Sequence, residues 1–304
     1  MRTVALFHNE HKPQAMEALG EVRSLLAREG VRAVPVGRGG ASRRLASCEI
    51  AVALGGDGTM LRAARVLADS GLKRGIPLLG INAGGLGFLS AVDLPGFKRD
   101  LRRILDGRFK VETRWMLSVE VRRRCGRRGD MEHGLPRGAG PSDRGWRRIF
   151  GPCTALNDCV IRCSGATRAV TLRVQSAGHY VADFFGDGII VSTATGSTAY
   201  ALAAGGPVMV PGLDAFLLVP ICPHAVTQRP LVTSSLNPFT VTLVRRNPHD
   251  RPDAHVALDG QIERPLRPGD AVHVRRHEKA FMLLLPPARS HFDLLRSKLK
   301  WGAR

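Results

Sequence analysis

The sequence predicts an α/β domain with an open parallel sheet, followed by a β-rich and mostly antiparallel domain. The chain has 304 residues, which is more than a single compact core usually holds. In the first third, apolar runs alternate with helical patterns, as in parallel sheets with crossover helices. From about residue 110, short apolar runs are bounded instead by Gly, Pro, Asn and Asp, which is typical of antiparallel strands.

The elements of the first domain follow in order from these patterns. We predict strands in "TVALFH" (3–8), "VRAVPV" (31–36), "CEIAVALGGDG" (48–58) and "IPLLGINAGGLGFL" (76–89), with helices at 13–28 and 60–67. Loops at the carboxyl ends of such parallel strands form a ligand crevice. We place this domain at residues 1–95.

The second domain is predicted at residues 96–288. Its β-like runs include "MLSVEVRR", "TALNDCVIRC", "AVTLRVQSAG", "HYVADFFGDGIIVST" and "PFTVTLVRR", and "LDGQ" is a hairpin-turn candidate. The tail at 289–304 contains an amphipathic pattern, and we expect a helix that packs back on the first domain.

The formal charge of +19 is carried mostly by arginine, with nine arginines in the segment 122–148. Gly and Pro are frequent there and apolar periodicity is absent, so we predict a flexible insertion. Nucleic acid is the alternative partner for so basic a chain, but no aromatic residues alternate with these arginines to stack on bases. We therefore expect neither a nucleic acid nor a membrane as partner.

The cysteine pattern and the apolar runs indicate a cytoplasmic protein. Six cysteines form no C-x-x-C pair, and we interpret them as small buried apolar residues in a reducing compartment. No run approaches the ~18 apolar residues of a membrane span, and the apolar run near the N-terminus is too short for a signal peptide.

The stretch "GGDGT" at 55–59 is the first candidate site. Glycines allow a bulky anion to approach the backbone, and the start of a helix attracts negative charge. Asp57 fits phosphoryl transfer if it holds Mg²⁺ or accepts a proton from a hydroxyl. The motif is neither a P-loop nor G-x-G-x-x-G, and a tight turn with an N-capping aspartate remains an alternative.

A second candidate, "GDGIIVSTATGSTAYALAAGG" at 186–206, is rich in small and hydroxyl-bearing residues. Such residues offer many hydrogen bonds with little bulk, which suits a flat polar ligand. The alternative is a Ser/Thr-rich loop without a ligand.

These motifs, together with "INAGGLGFL" (81–89), "LND" (156–158), "GGP" (205–207), "PICPHAVTQRPLV" (220–232) and "DGQ" (259–261), resemble the NAD kinase family in the same order. "GGDG" alone is shared with lipid kinases and phosphofructokinases. The element "TGSTAY" with the later "PICPH" is far more discriminating. The resemblance covers most of the chain and omits 122–148.

The resemblance implies a β-sandwich second domain, a site between the domains and a homo-dimer or homo-tetramer. It implies transfer of a phosphoryl group from ATP, or in some members polyphosphate, to the adenosine-ribose 2′-hydroxyl of NAD, with a divalent metal, Mg²⁺ by expectation. Asp57 matches the aspartate that orients or deprotonates this hydroxyl. Residues that match the phosphate turn and the aromatic loop over the cleft are Gly55, Gly56, Gly58, Thr59 and Phe88. Residues that match dinucleotide-binding positions are Asn157, Asp158, Asp187, Ser197, Thr198, Ala199, Tyr200 and His224.

Two features depart from the family pattern. Position 91 is Ala where an acidic residue is usual, and the insertion at 122–148 is longer than a hairpin needs. Two other functions stay open at this point: a lipid or small-alcohol kinase that shares the GGDG turn, and a basic nucleic-acid-binding protein with a degenerate nucleotide fold.

Overall fold

The computed structural model describes residues 2–37, 42–82, 87–125, 145–165, 169–247, 249–250, 253–287 and 290–300. The chain divides into two compact units. Unit 1 comprises 1–114 and 279–304, and unit 2 comprises 115–278. No helix among the described residues is long and apolar enough to cross a membrane.

Unit 1 is built on one mostly parallel sheet, which confirms the predicted fold class. Its strands are β1 (Thr3–His8), β2 (Arg32–Pro35), β3 (Ile50–Leu54), β4 (Leu78–Asn82), β5 (Val92–Asp93), β6 (Lys110–Arg114) and β19 (Phe281–Leu285). The spatial order is β2-β1-β3-β4-β19-β6, with β5 also paired to β4. All pairs are parallel except β19 with β6. β1 is buried along its length and β3 is buried except at Ile50, and both sequences are mostly apolar, as is typical of strands in a parallel sheet.

The helices of unit 1 follow from apolar spacing and from their first residues. They are α1 (Pro13–Arg28), α2 (Ser42–Leu45), α3 (Asp57–Asp69), α4 (Leu94–Leu105) and α6 (His291–Leu299). Helix α1 begins with a proline, whose missing N–H is no loss in the first turn. Helix α6 begins with a capping box between Ser290 and Asp293 and buries Leu294 and Leu295. As expected for the tail, α6 groups with unit 1.

Helix α4 is an element that the sequence analysis missed. Its signals were present: Asp93 accepts a hydrogen bond from the Gly96 N–H (2.8 Å), and the helix buries Phe97, Leu101 and Ile104 at helical spacing. The basic residues between them (Lys98, Arg99, Arg102 and Arg103) obscured the apolar periodicity in the sequence.

The unit boundaries lie at 114/115 and 278/279, rather than at the predicted 95/96 and 288/289. The reason is strand pairing. β19 lies between β4 and β6, so two strands assigned by sequence to the β-rich domain complete the sheet of unit 1. The chain therefore leaves unit 1 after β6, forms unit 2 and returns as β19.

Unit 2 is a β-sandwich of two antiparallel sheets. The first contains, in spatial order, β11 (His179–Gly186), β10 (Val170–Ser176), β15 (Phe239–Val244), β18 (Ala271–Arg276), β7 (Leu117–Arg124) and β8 (Trp146–Ala155). The second contains β14 (Leu231–Ser234), β13 (Ala215–Ile221), β12 (Gly188–Thr193), β9 (Asp158–Cys163), β16 (Ala254–Leu258) and β17 (Ile262–Leu266). Buried residues from both sheets, such as Val119, Leu172, Ile189 and Phe216, form one apolar cluster. A 3₁₀ turn (Thr195–Thr198) and the short helix α5 (Tyr200–Ala203) follow β12.

The predicted flexible insertion at 122–148 is wrong at both ends. Strands β7 and β8 pair through Arg122–Arg148 and Arg124–Trp146, and residues 126–144 lie outside the described residues. Arg123 donates two 2.7 Å hydrogen bonds to the fully buried carboxylate of Asp270. The arginines at 122–124, which we predicted to lie in a flexible segment, therefore belong to β7. The Arg123 guanidinium neutralises the buried carboxylate of Asp270.

The cysteines are only partly the buried apolar residues expected. All six are free thiols. Cys48 and Cys159 are buried, but Cys125 and Cys222 are exposed. Both directly follow the last residue of a strand. Without the strand ends, the sequence did not distinguish the exposed cysteines from the buried ones.

Candidate functional site

The glycine-rich turn of unit 1 joins β3 to α3. Gly55 donates its N–H to the Ile81 carbonyl of the neighbouring strand (3.0 Å) and has φ +149°. A Cβ at Gly55 would lie 2.5 Å from Thr59 Oγ1. The backbone conformation and this close approach both require glycine.

Asp57 is the first residue of α3, and Gly56 is the N-cap, without a side-chain cap. The carboxylate of Asp57 instead reaches another segment: the Phe88 N–H donates to Oδ2 (3.0 Å) and the Leu89 N–H to Oδ1 (3.1 Å). A Cβ at Gly87 would lie 2.0 Å from Oδ1. The alternative that Asp57 caps its own helix is therefore wrong; its carboxylate holds the 87–89 segment.

The surroundings of Asp57 suit a bound anion next to a carboxylate. Asp57 is half-buried, Gly58 is exposed and Thr59 is buried. The first helical N–H groups lie at this end of α3, where the helix dipole is positive. A carboxylate oxygen can accept more than one hydrogen bond, so Asp57 can hold the 87–89 segment and still accept from a ligand. Phe88 is half-buried in that segment.

Two cavities of unit 2 are lined by described residues, and the larger of these two has a volume of about 1210 Å³. Three of the predicted dinucleotide-binding residues line it: Asp187, Tyr200 and His224. Asp187 is exposed at the point where the chain passes from β11 in one sheet to β12 in the other. A hydrogen bond with Asp187 raises the pKa of the Cys222 thiol.

Three side chains in contact with one another, with the two rings tilted by 57°, line one side of the larger cavity. The rings of His224 and Phe185 lie 4.6 Å apart between centroids, and the Arg246 guanidinium lies 4.2 Å from the Phe185 centroid. The His224 N–H also bonds to the Phe185 carbonyl (2.9 Å). This wall offers a cation and an imidazole next to an aromatic ring, which suits a planar ligand that carries phosphate.

The smaller cavity has a volume of about 290 Å³ and is lined by four of the predicted residues, three of them not in the larger cavity. These are Asn157, Asp158, Ala199 and Tyr200. Tyr200 and Arg162 line both cavities. The structure thus places two groups of predicted residues on two cavities that share a tyrosine and an arginine.

Asp259 is a lining residue of the smaller cavity that the sequence analysis did not select. Its carboxylate accepts the N–H groups of Leu156 (3.0 Å), Asn157 (2.8 Å) and Asp158 (3.2 Å). The available signal was the Asp in "LDGQ", which has a positive φ of +51°. In the sequence, "LDGQ" predicted a turn and "DGQ" formed part of the family resemblance, but neither identified Asp259 as a site residue.

Asp158 is buried close to Asp259 and has an unusual protonation equilibrium. Burial, and secondly the charge of Asp259, raise the pKa of Asp158 from 3.8 to about 7. Desolvation disfavours the carboxylate, and a like charge nearby adds to this. The smaller cavity therefore holds a carboxyl group that titrates near neutral pH.

Ser197 and Thr198 differ from the other predicted residues in where their hydroxyls lie. Ser197 is fully buried, and its hydroxyl donates to the Ala194 carbonyl (2.8 Å) and accepts from the Met209 N–H (2.9 Å). The Thr198 hydroxyl donates to the Thr195 carbonyl (3.4 Å). Neither residue lines a described cavity. In this structure both hydroxyls bond within the protein and shape the turn before Tyr200.

Among the described residues, no group of three or more His, Cys, Asp or Glu side chains is arranged to hold a metal ion. The larger cavity is also lined by two cations that were not among the predicted site residues, Arg162 and Arg246. In a chain with so many arginines, sequence position alone did not distinguish these two.

Both halves of the chain match models of one family. The ATP-NAD kinase N-terminal domain matches residues 38–109, and the ATP-NAD kinase C-terminal domain matches residues 156–285. Curated NAD kinases from Geobacter metallireducens and Koribacter versatilis are each 35% identical over 315 residues, covering 100% of both chains. A NAD kinase from Polaromonas is 38% identical over 257 residues, covering 84% of this chain and 78% of that one.

Solved structures show the same fold at lower identity. A yeast NADH kinase complexed with NADH has a TM-score of 0.84 and 19% identity, covering 100% of this chain and 89% of that one. A NAD kinase from Archaeoglobus fulgidus in complex with ATP has a TM-score of 0.71 and 24% identity, covering 99% of each chain. From the full-length relatives and the two domain models, we conclude that the chain belongs to the NAD kinase family.

Proposed function

We propose that this chain transfers the terminal phosphoryl group of ATP to the adenosine-ribose 2′-hydroxyl of NAD, giving NADP. The observation that carries the proposal is full-length membership of the NAD kinase family. It is supported by a glycine turn with one half-buried carboxylate in unit 1 and by two cavities lined with dinucleotide-binding candidates in unit 2.

The turn of unit 1 is assigned to the phosphates. Gly55 forms the buried part of the turn, Gly56 leaves the backbone open at the start of α3, and Gly58 is exposed there. Thr59 is buried against Gly55, where it keeps the turn tight. Backbone N–H groups at a helix start bind phosphate without a lysine. Phe88 borders the same turn through its N–H bond to Asp57.

Asp57 is assigned to the reacting hydroxyl. A ribose hydroxyl is a weak nucleophile, and in a loose transition state it loses its proton late. Asp57 therefore acts first by orienting the hydroxyl and then by accepting its proton. The two N–H bonds from Phe88 and Leu89 fix the carboxylate plane before the substrate arrives.

The residues of unit 2 are assigned to the dinucleotide. Asn157, Asp158 and Ala199 line the smaller cavity, and Asp187 and His224 line the larger one. Tyr200 is 44% exposed and lines both, so its ring is available for stacking. Ser197 and Thr198 support this surface from within.

A divalent metal, Mg²⁺ by expectation, is part of the proposal. Mg²⁺ keeps several waters and binds through one or two carboxylates together with substrate phosphates. The single carboxylate at the glycine turn fits a cation that arrives with ATP, because Asp57 has unused lone pairs. When bound there, the cation neutralises charge on the phosphates.

Further properties of the proposal follow the family resemblance. We place the protein in the cytoplasm as a homo-dimer or homo-tetramer, with polyphosphate as a second donor to test. In place of the predicted division into 1–95, 96–288 and 289–304, we assign unit 1 (1–114 and 279–304, with the returning helix) to the phosphates and unit 2 (115–278) to the dinucleotide.

The test is an assay of the purified chain with Mg²⁺, ATP and NAD, in which NADP is read by an NADP-specific dehydrogenase. We expect NADP to accumulate only with all components present. Parallel reactions with NADH, polyphosphate, diacylglycerol and glycerol define the acceptor and donor. Phosphorylation of diacylglycerol or glycerol without NADP would support the small-alcohol kinase instead. Binding to DNA that persists at physiological salt, without NADP, would support the nucleic-acid-binding alternative.

A further inference from the structure

Asp259 connects two segments that are distant in sequence. It lies in the turn between β16 and β17, is 8% exposed and has φ +51°. Three consecutive backbone N–H groups, from Leu156 to Asp158, converge on its carboxylate, and its own N–H donates to the Asp158 carbonyl (3.0 Å). Converging N–H groups of this kind form a nest for an anion. Here the protein supplies the anion itself.

The 156–158 segment is also held through the Asn157 carbonyl. The Asn157 carbonyl accepts the Thr193 N–H (2.9 Å) and the Ser192 hydroxyl (3.1 Å). A Cβ at Gly196 would lie 2.1 Å from this carbonyl oxygen. Because the main chain is bonded on both sides, the Asn157 and Asp158 side chains have a fixed direction into the smaller cavity.

We propose that Asp259 is a positioning residue, which holds the Asn157 amide and the Asp158 carboxyl in place to bind the hydroxyl groups of the dinucleotide. The inference rests on the proposed function, and it deepens it by assigning dinucleotide affinity to a residue that acts through two others. Carboxylate and amide groups fixed in this way discriminate ligands with hydroxyl groups from those without.

The charge of Asp259 gives the proposal a consequence that a purely structural role lacks. The charged groups around Asp158 are Asp259, with Glu263 and Arg162 on the cavity wall, and the thiol of Cys159 is its buried neighbour. Burial and the Asp259 charge raise the pKa of Asp158 to about 7. The ionised carboxylate is the better acceptor for a hydroxyl. Dinucleotide affinity should therefore rise with pH around neutrality.

The experiment compares the full-length wild type with Asp259→Asn. Asn keeps the size and tolerates positive φ, but it removes the charge and turns one acceptor into a donor. We expect KM for NAD and Kd for NAD by calorimetry to rise about 10-fold. We expect kcat and KM for ATP to change less than about 3-fold. The midpoint of the affinity–pH curve should move to lower pH, because one cause of the raised pKa is gone.

Two further variants keep the test decisive. Asp253→Asn removes an exposed charge near the start of β16 and should leave affinity and midpoint unchanged. Ser192→Ala loosens the same turn without changing charge; it should raise Kd about 3-fold and leave the midpoint in place. If Asp259→Asn does not fold, Ser192→Ala decides the positioning role, and unchanged affinity there overturns it.

The outcomes also separate this inference from the proposed function. Unchanged Kd and midpoint in folded Asp259→Asn overturn the positioning role and leave NADP formation by the wild type untouched. A wild type that binds NAD without forming NADP contradicts the proposed function, while the Kd comparison still tests Asp259. A wild type that does not bind NAD overturns both.

Discussion

Asp57 in unit 1 and Asp259 in unit 2 form the same type of contact in different surroundings. Each carboxylate accepts backbone N–H groups from a distant segment, two from Phe88 and Leu89 in the first case and three from Leu156 to Asp158 in the second. Asp57 is half-buried, whereas Asp259 is 8% exposed. An accessible carboxylate is open to a ligand, whereas a buried one that already accepts three N–H groups acts chiefly on the segment that donates them.

A glycine packed against each of the two sites shows the same difference. A Cβ at Gly87 would meet the Asp57 side chain, whereas a Cβ at Gly196 would meet the backbone oxygen of Asn157. A side chain can move away, but backbone bonded on both sides cannot. The comparison therefore predicts effects on activity in unit 1 and on stability and affinity in unit 2.

The largest expected effect concerns the protonation of Asp158. Its pKa is raised to about 7 in the folded state from 3.8. The native state therefore holds the proton more tightly than the unfolded state, and the stability this provides is lost as pH rises from about 4 to 7. Asp158→Asn keeps a neutral side chain at every pH. We expect the variant to match wild type near pH 4 and to exceed it by on the order of 4 kcal/mol above pH 8.

Denaturant unfolding of both proteins from pH 4 to 9 measures this difference. A constant difference across the range would contradict the titration of Asp158 and weaken the contrast between the two carboxylate sites. Asp253→Asn serves as the control, since that residue is exposed.

Gly196→Ala tests the rigidity of the turn in unit 2. Its Cβ would lie 2.1 Å from the Asn157 oxygen, so we expect a loss of about 3 kcal/mol in the free energy of unfolding. Gly20→Ala in α1 is the matched control, because its Cβ would meet nothing within 4 Å. That variant should gain about 0.5–1 kcal/mol from helix propensity. Thermal unfolding measures both, and equal stability of the two variants would refute a rigid turn.

Asp57→Asn tests the accessible carboxylate. We expect turnover to fall by at least ~10²-fold, because the proton acceptor is lost, while Kd for NAD changes only by roughly a few-fold. Asp69→Asn, at the exposed end of the same helix, should retain full turnover. NADP formation and calorimetry provide the measurements. Near-normal turnover of Asp57→Asn would remove the chemical role of this residue.

Gly87→Ala gives the smallest expected effect and the sharpest contrast with Gly196→Ala. The added Cβ displaces the Asp57 carboxylate, which can rotate away, so stability should fall by less than about 1 kcal/mol. Turnover should fall about 10-fold, because the carboxylate is no longer aligned. A variant that is unstable yet fully active per folded molecule would reverse the assignment.

The features that were predicted from the sequence are those that depend on residues close together in the chain. The strand at Thr3–His8, the helix at Pro13–Arg28 and the turn around Asp57 each depend on local apolar spacing or local glycines, and the structure contains all three. Asn157, Asp187 and Tyr200 were predicted from short family motifs, and each of them lines a cavity of unit 2. What they bind remains a prediction.

Sequence did not predict features that depend on partners far along the chain. β19 lies between β4 and β6, and nothing in Phe281–Leu285 identifies that neighbour. Arg123 looked solvated because its partner, Asp270, is distant. Asp259 looked like a turn residue for the same reason, since the three N–H groups that it accepts lie about a hundred positions earlier. Long-range pairing leaves no local pattern.

The return of the chain as β19 also sets an order of events during synthesis. Residues 115–278 are synthesised before the strand that joins β4 to β6. The parallel sheet of unit 1 therefore stays incomplete, with a gap between β4 and β6, until β19 is available. The edge of β4 is thus the surface that a chaperone would have to shield in the unfinished polypeptide.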